Sequence, residues 1–307
     1  PERISLKNLG TPARVLSVMP QVSVVIPTKN RPELLRQALT SVVGQTFKDL
    51  EVIVVDDGTG AEETCRSFPT LALRIVQNAP KQGGASARNT GVGEAQGEFI
   101  AFLDDDDRWV PEKLEKQLAL FRATPDAAFS FTSVRNVYDD REEVTHVPSG
   151  CMNFLERALT RFSGFLTSTL MARKKALLAV GGFDESLPSH QEPDLVIRLS
   201  RNFDGVGIDE PLTVMSMSRS YEHISSNLER RIAGRTALLA KHAPLFSARP
   251  KVLAKHYFRI ALWYRDSGKR RDAHAYFGKA LATSFTFRAF AHWLMSFLPS
   301  TREGTSS

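Results

Sequence analysis

Residues 99–109 read Phe-Ile-Ala-Phe-Leu-Asp-Asp-Asp-Asp-Arg-Trp. Five apolar residues in a row, bounded by polar ones, predict a short strand covered on both faces. The run ends in four aspartates, Asp104 to Asp107. In a solvated segment such a run costs little. At the end of a buried strand each carboxylate makes the next harder to ionise, unless a cation sits there. Oxygen donors of this type suit hard divalent ions, magnesium or manganese, and the substrate expected is a phosphate compound carried by the metal. The plainer alternative is an acidic turn capping a helix that starts near Pro111.

Three more apolar runs lie upstream. Val22–Ile26 is closed by Pro27, Val52–Val55 is stopped by Asp56-Asp57-Gly58, and Leu73–Val76 follows. Between them Arg31–Val43 predicts a helix, with Pro32 early and Leu34, Leu35, Ala38, Leu39 and Val42 on one face. Ala61–Phe68 and Ser86–Ala95 predict two further helices, and the fourth strand spans Glu98–Leu103. Strands alternating with helices at this spacing imply an α/β fold: a mostly parallel, Rossmann-like sheet with helices on both faces. Ligands then sit beyond the carboxyl ends of the strands. Thr28-Lys29-Asn30, Asp56-Asp57, Asn78 and Asp104 to Asp107 all fall at such ends.

Past Asp126 the pattern changes. Ala127–Phe131 and Val134–Tyr138 predict strands with a hairpin-like excursion. Gly150–Leu159 predicts a helix, Ser168–Ala172 a strand, and Lys174–Val180 and Asp194–Arg201 helices. From about Asn227 the chain is almost wholly helical, with breaks near Pro244 and Pro250. The expected division is a lead-in over 1–20, an α/β domain over 21–225 and an all-helical C-terminal extension over 226–307. Tyr264, Gly268, Ala273, Phe277 and Ala280 fit the spacing of one tetratricopeptide-like hairpin. A single copy, with Phe285 at the closing proline position, favours a simple helical hairpin. Phe285, Phe287, Phe290, Trp293, Leu294, Phe297 and Leu298 load the last helix with apolar surface. We rank a core or homodimer contact above a membrane interface, because no strong basic face accompanies that segment.

The chain has 307 residues, 42% hydrophobic and 24% charged, which is globular and long enough for one large domain plus an appendage. No apolar run approaches the roughly 20 residues that span a bilayer. No secretory pattern stands at the start, and the opening Pro1 in place of methionine is what a fragment would show. Cys65 and Cys151 lack metal-ligand spacing and read as ordinary thiols of a reducing cytoplasm. The net charge of +6 divides unevenly, with −5 over residues 1–218 and +11 over 219–307. The basic part is expected to meet something anionic, an acidic acceptor or the inner face of a membrane, rather than nucleic acid. A solvated helical face explains any single cluster, such as Lys269-Arg270-Arg271, equally well.

Five stretches, VSVVIPTKNRP (22–32), QTFKDLEVIVVDDGT (45–59), GGASARNTGV (83–92), GEFIAFLDDDDRW (97–109) and GGFDESL (181–187) followed by EPDLVIRLS (192–200), resemble the inverting family 2 glycosyltransferases of the GT-A fold. They run in that family's order over nearly two thirds of the chain, and the helical tail lies outside the resemblance. The resemblance implies transfer of a sugar from a nucleotide diphosphate sugar, UDP-linked, to an acceptor that could be a glycan, a lipid-linked glycan or a peptide. Pro27, Thr28 and Asn30 match the loop along the nucleotide. Lys29 replaces a usual tyrosine and could reach a phosphate instead. Asp57, with Asp56 beside it, matches the base-contacting acid, one of the two being expected to cap a helix. Gly83-Gly84 precede Arg88, a fixed positive charge near the nucleotide or a tie to a carboxylate.

Asp104 and Asp106 match the DxD pair. Asp106 is expected on the metal, Asp104 or Asp105 at the ribose or metal-bound water, and Asp107 in a structural role. The acceptor must lose a proton as it attacks, so a general base is required. The resemblance puts it after a Gly-Phe-Asp turn, here Gly182-Phe183-Asp184. Gln191-Glu192-Pro193-Asp194 stands for the family's Glu-Asp-x-Asp, which makes Glu192 the base and Asp194 the runner-up. A second carboxylate for a retaining route is missing, which implies inversion. Arg219 and His223 lie where a basic loop over the diphosphate is expected. Two other classes compete. A nucleotidyltransferase would want a glycine-rich basic loop after the first strand, which Pro27-Thr28-Lys29-Asn30 is not. A partner-binding module with a degenerate transferase domain draws on Gln191 and Pro193 alone.

Overall fold

The apolar runs of the first hundred residues become strands, β1 (Val22–Thr28), β2 (Leu50–Asp56) and β4 (Phe99–Phe102) covered on both faces and β3 (Leu73–Gln77) half-buried at the sheet edge. The computed structural model describes residues 19–78, 83–162, 164–217 and 227–296. These four strands pair in parallel in the order β3-β2-β1-β4. The crossovers are α1 (Pro32–Val43), α2 (Ala61–Arg66) and α3 (Gly84–Glu94).

Successive side chains alternate between faces. Val24, Ile26, Val52 and Val54 join one buried cluster with Leu35 and Leu39 of α1. Val25, Ile53, Val55 and Phe102 join a second with Ala87 of α3 and Phe183. On that second face, α3 lies close to β1 because of Gly91. A Cβ added there would stand 2.3 Å from Cγ1 of Val25.

Beyond β4 come β5 (Asp107–Trp109), α4 (Lys113–Ala123), β6 (Ala127–Val137), β7 (Glu142–Thr145), β8 (Gly150–Met152) and α5 (Leu155–Thr160). A 3-10 turn at Thr167–Thr169, β9 (Met171–Arg173), α6 (Lys174–Ala179), α7 (Gln191–Ser200) and β10 (Asp204–Ser216) complete the set. The sheet continues β4-β9-β6-β10-β5, with β7 on β6 and β8 on β10. Strand β9 enters antiparallel between β4 and β6, and β6 and β10 are parallel.

Several local expectations are corrected. The two strands read after Asp126 are one, β6. Gly150–Met152 is a strand edge before α5, not the start of a helix. Ser168 lies in the 3-10 turn that precedes β9. Helix α7 starts at Gln191, three residues before the expected Asp194, because His190 adopts a left-handed conformation at φ 63° and turns the chain into it. Strands β5 and β10 were not anticipated.

The C-terminal segment forms α8 (Leu228–Lys241), α9 (Ala243–Ser247), α10 (Pro250–Asp266), α11 (Arg270–Thr283) and α12 (Phe287–Met295). Prolines at the first turns of α9 and α10 mark the breaks. Gly268, at φ 75°, makes the turn between α10 and α11. Ala273 and Phe277 of α11 pack on Ala261 of α10, and Trp293 of α12 covers them. Phe285 and Phe287 remain 69% and 78% exposed, while Phe297 and Leu298 lie outside the described residues. No helix among the described residues is long and apolar enough to cross a membrane.

Candidate active site

Strands β1 and β4 end side by side, which sets Thr28 against the aspartate run. The Thr28 hydroxyl donates to Oδ2 of Asp105 at 2.8 Å. Arg31, at the mouth of α1, places Nη1 3.3 Å from Asp105 and 3.4 Å from Asp106. The run itself alternates. Asp105 and Asp107 turn inward, whereas the side chains of Asp104 and Asp106 keep 29% and 26% of their surface exposed. Ser168 organises the turn: its hydroxyl donates to Oδ2 of Asp107 at 2.5 Å and accepts from the Asp104 amide at 3.0 Å. Burial pushes the Asp105 carboxyl up to about 6 against the opposing pull of the Thr28 bond, with Asp106 adding to the rise. Burial and its three acidic neighbours raise Asp107 as well.

The Asp105 carboxylate is held by Thr28 and Arg31 of the β1 edge. The outward pair is Asp104 and Asp106. Two exposed carboxylates fit a magnesium or manganese ion, which keeps waters and takes few protein ligands beside substrate phosphates. Among the described residues no group of three acidic, His or Cys side chains offers a full cage.

Arg88 sits behind this pair. Its Nη2 donates to Oδ1 of Asp104 at 2.6 Å, and its guanidinium lies 5.5 Å from the Phe183 ring centroid. Burial opposes its charge, but the fields of Asp104, Glu192 and Asp106 together raise its pKa. Its Nε is buried without a hydrogen-bond partner.

At the end of β2, Asp56 accepts from the amides of Gly58 (2.8 Å) and Ala61 (3.3 Å). It thus caps α2, the role expected for one of the two aspartates, and Asp57 stays the candidate for contact with the base. Asp57 accepts from Asn78 Nδ2 at 2.7 Å and from the Gly83 amide at 2.9 Å, with Lys29 Nζ 3.6 Å away. Lys29 therefore neutralises Asp57 at the mouth of the cleft. Asn30, at φ 54°, accepts from the Thr59 amide at 2.9 Å and ties the β1 and β2 loops. Pro27, paired in register with Val55, lies one residue before the end of β1. A cleft of about 770 Å³ opens beside β3, lined by Asp56, Gly58, Thr59, Gly60 and Gln77. It flanks the aspartate run without including it.

The opposite wall is the segment from Gly181 to α7. Asn89, next to Arg88 on α3, accepts from the Phe183 amide at 2.8 Å and donates to the Phe183 carbonyl at 2.9 Å. Gly182, at φ 66°, lets this clamp close, since a Cβ there would stand 2.5 Å from Asn89 Oδ1. Glu192, in the first turn of α7, is half-buried and accepts from the Thr167 hydroxyl at 2.9 Å.

Asp194 is wholly buried and already occupied. Arg198 reaches it at 2.7 Å, His242 at 2.8 Å and Lys241 at 2.9 Å. Those bonds overcome burial and hold its carboxyl down at about 2. It locks α8 onto α7 and has no surface to offer an acceptor, so the runner-up role for it falls. Arg219 and His223 lie outside the described residues. Sequence reasoning passed over Arg31, Asn89, Thr167 and Ser168. Asn89 stood inside a quoted stretch, but nothing near Thr167 marked its neighbourhood.

A family model described as Glycosyl transferase family 2 matches residues 23–181. The chain belongs to that family. This glycosyltransferase is 28% identical over 272 residues to the amylovoran biosynthesis glycosyltransferase AmsB of Erwinia amylovora, covering 84% of this chain and 89% of AmsB. It is 27% identical over 210 residues to an uncharacterized glycosyltransferase of Haemophilus influenzae, covering 67% and 71%.

Among solved structures, S. aureus TarS superposes with a TM-score of 0.63 at 19% identity, over 89% of this chain and 50% of the TarS chain. The mannosyltransferase PcManGT of Pyrobaculum calidifontis, in complex with GDP-Man and Mn2+, gives 0.59 at 20% identity, over 92% and 80%. At such identities these two establish the GT-A fold of this glycosyltransferase and no more.

Proposed function

We propose that this glycosyltransferase moves a sugar from a nucleotide diphosphate sugar, UDP-linked, to a glycan, lipid-linked glycan or peptide acceptor by one inverting displacement. The observation that carries the reading is Arg88: this buried cation pairs with Asp104 at 2.6 Å and lies within the fields of both Asp106 and Glu192. The acids of a donor site and the acid of an acceptor site thus converge on one group. Relatives named for glycan synthesis, and a TarS structure in complex with UDP-GlcNAc that matches with a TM-score of 0.55, favour the same donor class.

In this reading Asp57 receives the base, and Pro27, Thr28 and Asn30 shape the loop beside it. Asp104 and Asp106 hold a divalent ion, manganese or magnesium. When bound, that ion supplies positive charge against the leaving diphosphate. Glu192 takes the acceptor hydroxyl proton as the acceptor oxygen bonds to the anomeric carbon and the bond to phosphate breaks. Thr167 orients Glu192 by donating to Oε1, which leaves Oε2 for the proton. Lys29, and Arg219 and His223 from outside the described residues, are proposed diphosphate contacts. The domain boundaries at about 20 and 225 belong to this proposal. So do a cytoplasmic location and a homodimer or peripheral membrane contact through the C-terminal helices.

The test is hydrolysis of several nucleotide sugars with and without manganese, followed by mass spectrometry of products, in the native chain and in Asp106→Ala and Glu192→Gln. Free sugar and nucleoside diphosphate, formed only with metal and lost in Asp106→Ala, are the expected products. Metal-independent turnover, or none with any nucleotide sugar, would end the reading. Full transfer to a real acceptor by Glu192→Gln would remove the base from it.

A further inference from the structure

We propose that the seam between α8 and α10 binds a phosphate or diphosphate group carried by the acceptor. Arg231 and Arg235 stand one turn apart on α8, and Arg259 and Trp263 one turn apart on α10. The guanidinium carbons of Arg231 and Arg235 each lie 4.5 Å from the Trp263 ring centroid. Arg235 also lies 4.6 Å from the ring of Phe162. Arg259 is near enough to repel both α8 arginines. Two guanidinium groups therefore lie against the Trp263 ring, one of them also against Phe162, with the Arg259 charge close enough to repel both.

Among the described residues no carboxylate pairs with this cluster, whereas Lys241 of α8 and Arg265 of α10 each have a carboxylate partner. Arg231, Arg235 and Arg259 have none. The Nε of Arg235 is buried with no hydrogen-bond partner at all. Burial, then Arg259 and Arg231, push its pKa down to about 9. Ring stacking supplies only a modest return for holding these cations together. A dianion between them would satisfy the forked donors and remove the repulsion, and phosphate oxygens match that fork. A carboxylate carries one charge, whereas a phosphate ester carries up to two.

The position fits an acceptor. His190 packs on Phe162 at 5.3 Å and on Trp263 at 6.3 Å between ring centroids, and Arg235 and Arg231 both act on it. Gln191 and Glu192 follow directly. The seam therefore adjoins the start of α7, the helix that carries the proposed base. The inference rests on Glu192 marking the acceptor side.

The test is calorimetric titration with inorganic pyrophosphate in EDTA, against chloride of matched ionic strength. The proteins are the native chain, Asp106→Ala, Arg259→Gln, and the double variant Arg231→Gln/Arg235→Gln. Melting temperatures are recorded for each without ligand. Pyrophosphate is expected to bind the native chain and Asp106→Ala alike, which separates this site from the donor site. The dissociation constant should rise about tenfold in Arg259→Gln and further in the double variant. Without ligand the variants should melt at or above the native temperature, since repulsion is relieved.

Equal binding by all four proteins, or no binding above chloride, would overturn the inference. So would lower melting with unchanged affinity, which would make the arginines a packing device. Farnesyl diphosphate distinguishes two supporting sources: tighter binding than pyrophosphate puts the group on a lipid, and equal binding puts it on a soluble acceptor. If the variants lose binding to phosphatidylglycerol vesicles but keep pyrophosphate, the seam is a membrane contact and the inference fails. Donor hydrolysis by the native chain is a separate readout. Its absence would defeat the donor reading and leave the pyrophosphate result standing.

Discussion

Arg88 and Asp104 form an ion pair across the gap between α3 and the end of β4, with Nη2 2.6 Å from Oδ1. The arginine side chain is 9% exposed and the aspartate 29%. The pair is one-sided. Arg88 is the deeper partner, and its removal leaves Asp104 facing Asp105, Asp106 and Asp107 with less positive charge nearby.

Arg88→Ala should therefore destabilise the fold by about 3 kcal/mol, the low end for a broken buried pair because Asp104 is partly solvated. Arg88→Ala/Asp104→Ala should cost less than the sum of the single changes, since the second removes the charge that the first strands. Urea unfolding of the four proteins of the cycle measures this. Strict additivity would show that the pair carries no coupling.

Glu192 and Asp194 lie on one turn of α7 and should fail in different ways. Glu192→Gln keeps an acceptor for the Thr167 hydroxyl, so its melting temperature should stay close to native while transfer falls about 10²- to 10⁴-fold. Asp194→Asn leaves Lys241, His242 and Arg198 around a neutral amide in a wholly buried site. It should cost about 3–5 kcal/mol. Paired melting and transfer assays separate the two, and a native-like melt for Asp194→Asn would contradict its anchoring role.

The sheet was legible because burial on both faces writes itself as unbroken apolar runs, and the strand-end polar clusters do meet: Thr28 bonds Asp105, and Asn78 bonds Asp57. What could not be read is which way each acid points. Asp104 to Asp107 are identical letters, yet the turn beside β5 sends Asp105 and Asp107 inward and leaves Asp104 and Asp106 out. Asp56 and Asp57 differ by partner instead: Asp56 is spent on the amides at the start of α2, and Asp57 is held by Asn78 and Gly83. Strand β10 was missed because Gly205, Gly207 and Pro211 interrupt its apolar pattern. Gly207 is there because a Cβ would stand 1.8 Å from the Pro148 carbonyl oxygen, a contact 59 residues upstream that no local pattern shows. The anchoring of α8 by Asp194 is equally non-local.

Acid should loosen the docking of the C-terminal helices before it unfolds the sheet. Burial holds His190 down to about 3 and His256 to about 4, below their ordinary value of 6.5. At these two sites the unfolded chain therefore binds more protons than the folded one from about pH 6.5 downward, and the stability they contribute falls with pH across that window, while Asp105, raised to about 6, and Asp107 act in the opposite sense at the end of β4. Asp194, held at about 2 against an ordinary 3.8, extends the loss below pH 4. His256→Gln can still donate toward the Leu159 carbonyl, which the ring nitrogen approaches at 2.7 Å. It should flatten the fall in melting temperature between pH 6.5 and 4. An identical slope in that variant would place the acid sensitivity elsewhere.

Gly182→Ala tests whether the acceptor wall depends on the Asn89 clamp. The residue sits at φ 66°, and its Cβ would press on Asn89 Oδ1, the atom that accepts from the Phe183 amide. Backbone strain and a displaced clamp should together cost about 1–3 kcal/mol. The functional effect should exceed the thermal one, because Phe183 leads directly into the segment that carries Glu192. Donor hydrolysis, which needs the aspartate run and Asp57, should persist, while the KM for acceptor rises. Asn89→Ala removes the clamp without the strain and should reproduce the acceptor effect. If both variants lose donor hydrolysis and acceptor transfer in equal proportion, the two walls are not separable and Asn89 serves the whole site.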